Sequence, residues 1–386
     1  MKKSYIFIFF ILFLTNCTFG LNIKVRLLST YTPQKVIVSA VSGKYNLLCD
    51  NNKLTTVELN TGNAITLSYL NGKIVLEQGL TLVGTYSTVE FLGVKYNNIY
   101  SLHIDGLAQD RMYEDELRVS VGKGELLLVN TIGLEKYVAG VVQSEVYGSS
   151  DDVEFFKIQA IAARTYCLAN IHKHIKEGCN LCDCVHCQSY KGRCTQGDIL
   201  RATYETFSDV IVDSNNKLIS PAYHSNSGGM TEAASQIWLH DIPYLQSKVD
   251  SFSINARNYQ WEKIIPQKMW IDYFVQNYGD KYGRSGACQD SILNYKQPVR
   301  IAKWVIDGDT ILAKKIREHF KLRSAFFSVS TRGDNVHLSG KGYGHGVGLS
   351  QEGAIEMVKR GYSCTDILQF YFNNVKILKY TDIIDI

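Results

Sequence analysis

The 386-residue sequence carries little net charge and, after its first residues, has no long hydrophobic run. The formal net charge is +4, and that total includes Lys2 and Lys3 at the start of the chain. So small an excess of positive charge argues against nucleic acid as a partner. No later apolar run is long enough to form a membrane helix. The hydrophobic content of 45% and aromatic content of 11% are ample for a packed core.

Several motifs of common enzyme classes are absent as well. No His-Glu-x-x-His helix is present, which argues against a metallopeptidase. His224 stands beside Ser225, but no Gly-x-Ser-x-Gly elbow accompanies them, which argues against a serine hydrolase. The glycine-rich stretch 340–348 does not end in Gly-Lys-Ser/Thr, so it is not a phosphate-binding loop.

The first twenty residues predict export. Met1-Lys-Lys3 precedes an apolar run, Tyr5–Leu14, that is too short to span a bilayer and is typical of a secretory signal. Leu14-Thr-Asn-Cys17 resembles a loose lipoprotein box, with a lipid anchor on Cys17; cleavage after Gly20 is the alternative. We therefore predict a signal peptide over residues 1–20 and a periplasmic or cell-envelope protein.

The remainder predicts an α+β fold in two parts. Residues 21–111 show short β-like runs separated by turn residues, for example Lys35–Val41, Ile74–Glu77 after Asn71-Gly72, and Val89–Val94. This part is predicted to be a β-rich accessory module without chemistry of its own. Residues 112–386 mix strand and helix patterns and hold every candidate functional residue.

The segment Leu134–Glu145 is the strongest helix signal. Its apolar residues recur at i, i+3, i+4, i+7 and i+8, namely Leu134, Tyr137, Val138, Val141 and Val142. Glu145 takes the next position of that face, where burial would favour the neutral acid that a general acid requires. The alternative is an exposed glutamate at a helix end. Glu135 and Glu154 do not continue the stripe and are weaker candidates.

A second helix is predicted from Val153 to His174, carrying Arg164 and Tyr166, which either reach a site or pair elsewhere. Six of the ten cysteines then fall between Cys167 and Cys194. Two pairs of cysteines have two residues between their members, Cys179/Cys182 and Cys184/Cys187, and His172, His174 and His186 lie nearby. This pattern is typical of zinc ligands on a loop, but it leaves the choice of ligands open. A disulfide-stapled loop is the alternative in an oxidising compartment.

The last landmark is the glycine-rich stretch, in which alternating glycines favour a sharply turning loop rather than a strand or helix. His345 lies in its middle, where it would donate to a sugar or to a developing charge. Ser350 is predicted to cap the helix that follows and that extends to about Lys359.

Five segments together resemble the SpoIID/LytB family of stage II sporulation protein D-like cell-wall proteins. They are Leu134-Glu-Lys-Tyr-Val-Ala-Gly-Val-Val-Gln-Ser-Glu145, Lys157-Ile-Gln-Ala-Ile-Ala-Ala-Arg-Thr-Tyr166, Cys182-Asp-Cys-Val-His-Cys-Gln-Ser-Tyr190, His224-Ser-Asn-Ser-Gly-Gly-Met-Thr-Glu232 and Gly342-Tyr-Gly-His-Gly-Val-Gly-Leu-Ser-Gln-Glu-Gly-Ala354. The chain departs from the family pattern at Val146-Tyr147, Leu349 and Glu352, and Cys179 and Cys184 are additional thiols.

The resemblance implies a lytic transglycosylase that cleaves peptidoglycan glycan strands between N-acetylmuramic acid and N-acetylglucosamine, with Glu145 as the catalytic residue. It also implies a structural zinc ion, with Cys182, His186 and Cys187 as ligands and His174 as a weaker fourth. The residues expected to bind substrate are Arg164, Tyr166, His224, Ser225, Tyr343, His345 and Gln351. The alternative within the family is a non-catalytic wall-binding protein that enhances an N-acetylmuramoyl-L-alanine amidase, docking through the β-rich module.

Overall fold

A computed structural model of the chain describes residues 20–50, 53–94, 96–146, 148–238 and 240–383. Most of the predicted signal peptide, with Cys17, lies outside the described residues. Strands occupy most of the chain before the first helix. They are β1 (Asn22–Leu27), β2 (Lys35–Ser42), β3 (Lys44–Cys49), β4 (Lys53–Asn60), β5 (Ala64–Leu70), β6 (Lys73–Gln78), β7 (Thr81–Tyr86), β8 (Thr88–Gly93), β9 (Ile99–His103), β10 (Arg111–Glu114), β11 (Glu116–Val121) and β12 (Leu126–Gly133).

Helices and short strands alternate in the rest of the chain. The helices are α1 (Leu134–Val146), α2 (Val153–Ala169), α3 (Gly197–Glu205), α4 (Ala234–Trp238), α5 (Gln267–Tyr278), α6 (Ala287–Leu293), α7 (Ala313–Phe320), α8 (Gln351–Lys359) and α9 (Cys364–Tyr371). The strands are β13 (Leu181–Cys182), β14 (Asp209–Val212), β15 (Tyr223–His224), β16 (Gln260–Pro266), β17 (Lys303–Ile306), β18 (Asp309–Leu312), β19 (Phe327–Arg332), β20 (Asn335–Lys341), β21 (Leu349–Ser350) and β22 (Lys376–Lys379). The predicted α+β class is confirmed.

Two large sheets organise the strands. One has the order β13-β1-β12-β11-β8-β3-β4, and the other has the order β10-β9-β2-β5-β6-β7. Within β1 and β12, buried and more exposed residues alternate, as expected for strands with one face on a core. Strands from before and after residue 111 therefore share both sheets. The division between 21–111 and 112–386 stays a prediction, and it does not coincide with a break in strand pairing.

The hydrophobic interior forms two clusters. The larger one runs from Ile23 to Tyr380 and packs α1 and α2 against the large sheets. The smaller one, between Trp261 and Leu338, is centred on Trp270 and Trp304 and is built by α5, α6, α7 and the sheet β16-β20-β19. Within the part of the chain that the structure describes, no helix has both the length and the hydropathy needed to cross a bilayer.

The second helix is shorter than predicted. α2 ends at Ala169 and does not continue to His174. Asn170 is the C-cap residue, and its side-chain amide donates to the carbonyl of Tyr166 at 2.9 Å, which ends the helix. The chain then turns, and Asn180 donates to the carbonyl of Ile171 at 2.8 Å. This early end allows His174 to fold back towards the cysteines.

Candidate active site

The C-terminal turn of α1 carries Glu145. The five apolar residues of the predicted stripe are all buried in the larger core, which holds the helix in one rotational position. Glu145, at the next position of that face, is half-buried. Burial raises the pKa of this carboxyl above its ordinary value of 4.5, while the backbone N–H of Ser189 and the charge of Lys191 act in the opposite direction. The Ser189 N–H donates to Glu145 Oε1 at 2.7 Å.

Three consecutive residues of α1 hold one extended segment, residues 189–196, against the end of the helix. Gln143 Oε1 accepts from the backbone N–H of Thr195 at 2.7 Å. Ser144 Oγ accepts from the backbone N–H of Lys191 at 2.9 Å. With the bond to Glu145, each of these side chains satisfies a backbone donor of the same segment. The carboxyl is thereby fixed relative to that segment.

A glycine makes this close approach feasible. A Cβ added to Gly140 would lie 2.5 Å from the carbonyl oxygen of Gly192 and 2.6 Å from the ring of Tyr190. Tyr190 is fully buried and packs on Tyr137 of α1, with ring centroids 5.1 Å apart. A glycine inside a helix lowers helix propensity, so its presence here is explained by packing.

Glu145 faces a cleft of about 700 Å³. The cleft brings Glu145 together with Tyr166 and His345 among the predicted residues, and His186 and Cys187 of the cysteine cluster lie at its edge. Its other lining residues are Asn170, Lys173, Val185, Gln188, Ser220, Pro221, Ala222, Tyr223, Trp238, Ile242 and Leu245. Among the described residues that line this cleft, Glu145 is the sole carboxylate.

His345 is held by the backbone through both ring nitrogens. Its Nδ1 accepts from the backbone N–H of Val347 at 3.0 Å, and its Nε2 lies 3.1 Å from the carbonyl of Tyr223, so Nε2 carries the proton. Burial lowers the pKa of His345 to about 4. The ring is therefore neutral, and it lines the cleft beside Trp238, with 5.6 Å between the two ring centroids. The predicted donation to a sugar is not available in this arrangement because the only N–H is already used.

His224 lies behind His345 and is buried. Its Nδ1 donates to the carbonyl of Val347 at 3.1 Å, and burial holds its pKa well below the ordinary range. The two ring centroids are 5.4 Å apart. Gly344 has φ of +114°, and a Cβ there would lie 2.6 Å from the Cβ of His224, so the loop requires glycine at this position. His224 supports His345 rather than lining the cleft.

Three further predicted residues lie outside the cleft. Ser225 and Gln351 line a neighbouring pocket of about 560 Å³, together with Gly148 and Ser149. Tyr343 is 45% exposed and has the guanidinium of Arg323 5.8 Å from its ring centroid. Gln351 begins α8, and the predicted cap of that helix is confirmed, because Ser350 Oγ accepts from the N–H of Gly353.

Arg164 is not in the cleft, which corrects its place among the substrate-binding residues. It is fully buried, and its Nε and Nη2 donate to the two carboxylate oxygens of Glu135 at 2.9 and 2.5 Å. Its remaining donors bind the carbonyls of Asp209 and Thr203 at 3.0 and 3.1 Å. With four hydrogen bonds made inside the protein, Arg164 is a structural residue that joins α1, α2, α3 and β14.

Most of the other lining residues were not predicted, and three of them bear on the chemistry of the cleft: Lys173, Tyr223 and Trp238. Lys173 Nζ donates to the carbonyl of His186 at 2.5 Å and lies 3.3 Å from the hydroxyl of Tyr166. Tyr223 contributes its ring to the lining and its carbonyl to His345. Trp238 comes from the short helix α4. Tyr223 directly precedes the segment at His224, so its position was a usable signal; nothing in the sequence singles out Lys173 or Trp238.

The cysteine cluster gathers the four predicted metal ligands. The ligand atoms of His174, Cys182, His186 and Cys187 all lie within 4.8 Å of one another. Cys182 Sγ is 3.7 Å from His186 Nδ1, and Cys187 Sγ is 4.0 Å from the same nitrogen. These separations are close to the edges of a tetrahedral zinc site, which are about 3.5–3.8 Å for Zn–S near 2.3 Å and Zn–N near 2.1 Å.

His174 is prepared to act as a ligand. Its Nδ1 lies 2.7 Å from Glu177 Oε1, which places the proton on Nδ1 and leaves a lone pair on Nε2. That Nε2 atom is buried and has no hydrogen-bond partner among the described residues. A carboxylate on the far nitrogen of an imidazole is the usual second-shell arrangement of zinc-binding histidines. Cys184 Sγ is 3.7 Å from Cys182 Sγ, well beyond the S–S bond length of about 2.05 Å.

The fold and the cleft define an α+β protein with one half-buried carboxyl next to a thiol and imidazole cluster. A family model described as stage II sporulation protein matches residues 122–213, which contain both features. The stage II sporulation protein D of Bacillus subtilis (strain 168) is 32% identical over 264 residues, covering 64% of this chain and 75% of that protein. The stage II sporulation protein D of Bacillus amyloliquefaciens is 32% identical over 305 residues, covering 70% of this chain and 81% of that protein.

A third similar protein is the amidase enhancer of Bacillus subtilis (strain 168), which is 25% identical over 290 residues, 62% of this chain and 40% of that protein. The chain belongs to the stage II sporulation protein D family, as the five segments predicted. Membership relates the protein to sporulation and the cell wall.

Proposed function

We propose that the protein is a lytic transglycosylase that cleaves peptidoglycan glycan strands, with Glu145 as its single acid and base. The observation that carries the proposal is the state of this carboxyl. It is half-buried in a cleft, its pKa is raised by burial, and one of its oxygens is held by the Ser189 N–H. A carboxyl that keeps its proton closer to neutral pH is suited to protonating a leaving oxygen.

The composition of the cleft favours a transglycosylase over an ordinary glycoside hydrolase. Retaining and inverting hydrolases both need two carboxyl groups that flank the scissile bond. Among the described residues, Glu145 is the sole carboxylate that lines the cleft. One carboxyl suffices if the nucleophile is a hydroxyl of the substrate itself.

The reaction then takes two proton transfers. Protonated Glu145 gives its proton to the glycosidic oxygen as the bond between N-acetylmuramic acid and N-acetylglucosamine breaks. The resulting carboxylate takes the proton of the muramyl C6 hydroxyl, whose oxygen bonds to C1 and closes a 1,6-anhydro ring. Glu145 ends protonated, as it began. The Ser189 N–H stabilises the intermediate carboxylate and keeps it in position between the two transfers.

The test is product analysis on purified sacculi. We expect the wild-type protein to release 1,6-anhydro-muropeptides and Glu145→Gln to release them about 100- to 10,000-fold more slowly, the usual range for loss of a general acid and base. Glu318→Gln is the matched control, because the Glu318 side chain is 62% exposed on α7 and, among the described residues, forms an ion pair only with Lys315. Undiminished release by Glu145→Gln, with the control unchanged, contradicts the assignment.

We further propose that a structural zinc ion is held by His174 Nε2, Cys182 Sγ, His186 and Cys187 Sγ. The hydrogen bond from the Cys182 thiol lowers the pKa of Cys187, so a thiolate ligand is readily formed. Bound zinc would contribute folding free energy to the loop. Cys187 lies two residues before Ser189, so order in this loop also fixes the N–H that holds Glu145.

The zinc proposal predicts loss of stability on chelation. We expect the wild-type protein to contain about one zinc ion by elemental analysis, and its melting temperature to fall on addition of a chelator, because the ligated state is the folded one. Cys182→Ser should melt lower and show no further change with chelator. If reductant lowers the melting temperature and chelator does not, the loop is held by disulfides instead.

The proposed substrate requires export. The predicted signal peptide and the alternative of a lipid on Cys17 agree with a cell-envelope location. Peptidoglycan glycan strands are then the principal partner. Intact-mass measurement on membrane-fractionated protein distinguishes cleavage after Gly20 from an acylated Cys17.

The second candidate function is a wall-binding protein that enhances an amidase and does not cleave glycan itself. It is favoured by the similarity to the amidase enhancer of Bacillus subtilis. In this case the purified protein should bind sacculi and release no anhydro product. An effect should appear only after an amidase is added, as faster release of stem peptides.

A further inference from the structure

A second pocket of about 680 Å³ lies next to the cleft. It will be called the junction pocket, and it is lined by Tyr31, Leu107, Ala108, Gln109, Asp110, Arg111, Met112, Gln143, Ser144, Lys191, Gly192, Arg193 and Thr195. Tyr31 and residues 107–111 belong to the predicted β-rich module, residues 21–111. The predicted accessory module therefore supplies one wall, while α1 and the segment 189–196 supply the other.

The junction pocket and the cleft meet at the end of α1. Ser144 lines the pocket, and the next residue, Glu145, lines the cleft. The segment that separates them is fixed to both, since Lys191 N–H donates to Ser144 Oγ at 2.9 Å and Ser189 N–H donates to Glu145 Oε1 at 2.7 Å. Lys191 is close enough to Glu145 to lower the pKa of that carboxyl. The junction pocket and the cleft therefore lie close together at the end of α1, on either side of this segment.

The lining of the junction pocket is rich in positive charge. Arg111, Lys191 and Arg193 supply three cationic side chains to the lining, and Asp110 supplies its one carboxylate. Arg111 and Arg193 are partly buried and have acidic partners outside the pocket: Arg111 Nη1 is 3.5 Å from Asp183, and Arg193 Nε is 3.6 Å from Glu114. Asp110 itself lies 2.8 Å from His103 Nδ1.

Lys191 differs from these two arginines. Its side chain is exposed, and it has no hydrogen bond or ion pair with any residue that the structure describes. An unpaired ammonium at the mouth of a pocket is available to a ligand anion without first breaking an internal pair. Tyr31, on the opposite wall, offers an aromatic ring of the kind that packs on sugars.

We infer that the junction pocket is a subsite for an anionic muramyl residue, in which Lys191 binds a carboxylate of the glycan strand next to the bond over Glu145. The inference rests on the proposed function, since it takes a glycan strand as the ligand of the cleft. Muramyl residues carry a lactyl carboxylate when their peptide has been removed, and carboxylates of the stem peptide when it has not. Neutral N-acetylglucosamine residues carry neither.

The test measures binding and not cleavage, in the Glu145→Gln protein so that no strand is consumed. Soluble glycan strands are prepared without stem peptides and with them, and each preparation is compared with a copy in which carbodiimide coupling has converted the carboxylates to amides. We expect Lys191→Met to weaken binding of at least one acidic preparation by about twofold to fivefold, the range of exposed ion pairs. The amidated copy of that preparation should bind equally to both proteins.

The preparation that responds identifies the carboxylate. A response confined to strands without peptides assigns the lactyl group, and one confined to strands with peptides assigns the stem. The difference should shrink with added salt, because an exposed ion pair is screened. Lys303→Met is the matched control, since Lys303 is an exposed lysine on β17 without a side-chain partner among the described residues, and it should bind all strands as its parent does.

Two results overturn the inference. One is that the parent, the Glu145→Gln protein with Lys191 intact, binds acidic and amidated strands with equal affinity in both preparations. The other is a Lys191→Met protein that keeps the full preference for acidic strands. Failure of every strand to bind the parent would count against the proposed function as well, whereas intact binding without charge discrimination counts only against the subsite.

Discussion

The two ends of α1 carry the same residue type in opposite situations. Glu135, in the first turn, is buried and pairs through both oxygens with Arg164, which is itself fully buried. Glu145, in the last turn, is half-buried, and its one close partner among the described residues is the backbone N–H of Ser189, with Lys191 at longer range. The carboxylate of Glu135 is therefore held in an internal ion pair, whereas the Oε2 atom of Glu145 has no hydrogen-bond partner within the described parts of the chain.

The difference shows what separates a structural carboxylate from a candidate catalytic one. A buried ion pair with further hydrogen bonds stays charged, and its members cannot leave without exposing an uncompensated charge. A carboxyl in a cleft, with one backbone N–H donor and no ion-pair partner at close range among the described residues, can change its protonation state without leaving a buried charge unpaired. Both glutamates lie on α1, so the groups that contact each carboxylate decide whether its role is structural or catalytic.

The largest expected effect is a loss of stability on changing Glu135, in the first turn of α1. We predict that Glu135→Gln lowers the free energy of unfolding by about 3–5 kcal/mol, because it leaves Arg164 as a buried charge without its carboxylate. Glu145→Gln should not destabilise the protein, because no cation is lost from an ion pair and the Gln oxygen can still accept from Ser189. Urea unfolding of both variants measures the contrast. Equal losses would mean that the two ends of the helix do not differ as described.

Gly140→Ala is expected to cause a smaller loss of stability and a shift in the pH profile of activity. The new methyl group would meet the carbonyl of Gly192 and the ring of Tyr190, and the segment 189–196 must shift, at a cost of about 1–3 kcal/mol that exceeds the gain in helix propensity of about 1 kcal/mol. Loss of the Ser189 N–H would raise the pKa of Glu145 further. The alkaline limb of the activity profile should therefore move to higher pH.

Gly133→Ala is the control for this substitution. Gly133 directly precedes α1, and a Cβ there would have no neighbour within 4 Å. Its stability and pH profile should stay within experimental error of the wild type. An unshifted alkaline limb in Gly140→Ala would show that the segment does not control the carboxyl.

The smallest effect is the pH dependence that Glu145 adds to stability. The folded-state pKa is raised above 4.5, so the unfolded chain releases this proton first as the pH rises. The contribution of Glu145 is therefore absent below the unfolded pKa and becomes increasingly unfavourable up to the folded pKa. Relative to Glu145→Gln, the wild-type protein should lose stability across that window as the pH increases. Parallel unfolding curves at all pH values would contradict the raised pKa.

Much of the fold could be predicted because its patterns are local. The alternation in β2, the Asn71-Gly72 turn before β6 and the apolar stripe of α1 all appear where the sequence placed them. The end of α2 could not be predicted, because the signals that stop it are a side-chain bond at Asn170 and contacts with residues more distant along the chain. The second core, between Trp261 and Leu338, was not predicted as a separate unit, because its sequence carries no recognised motif and shows only a mixture of helix and strand patterns.

The candidate site divides in the same way. The sequence by itself indicated that Glu145 continues an apolar face of α1, because that feature depends on short-range periodicity. It also indicated a metal-binding loop from its closely spaced cysteines and histidines, whereas the set His174, Cys182, His186 and Cys187 was implied by the family resemblance. Only the tertiary structure decided that Arg164 pairs with Glu135 and that both ring nitrogens of His345 bind backbone groups. It also decided that Lys191 lies near Glu145 with no side-chain partner among the residues that the structure describes. Those facts depend on contacts between residues far apart in the chain, and local patterns do not encode which of several polar side chains will meet.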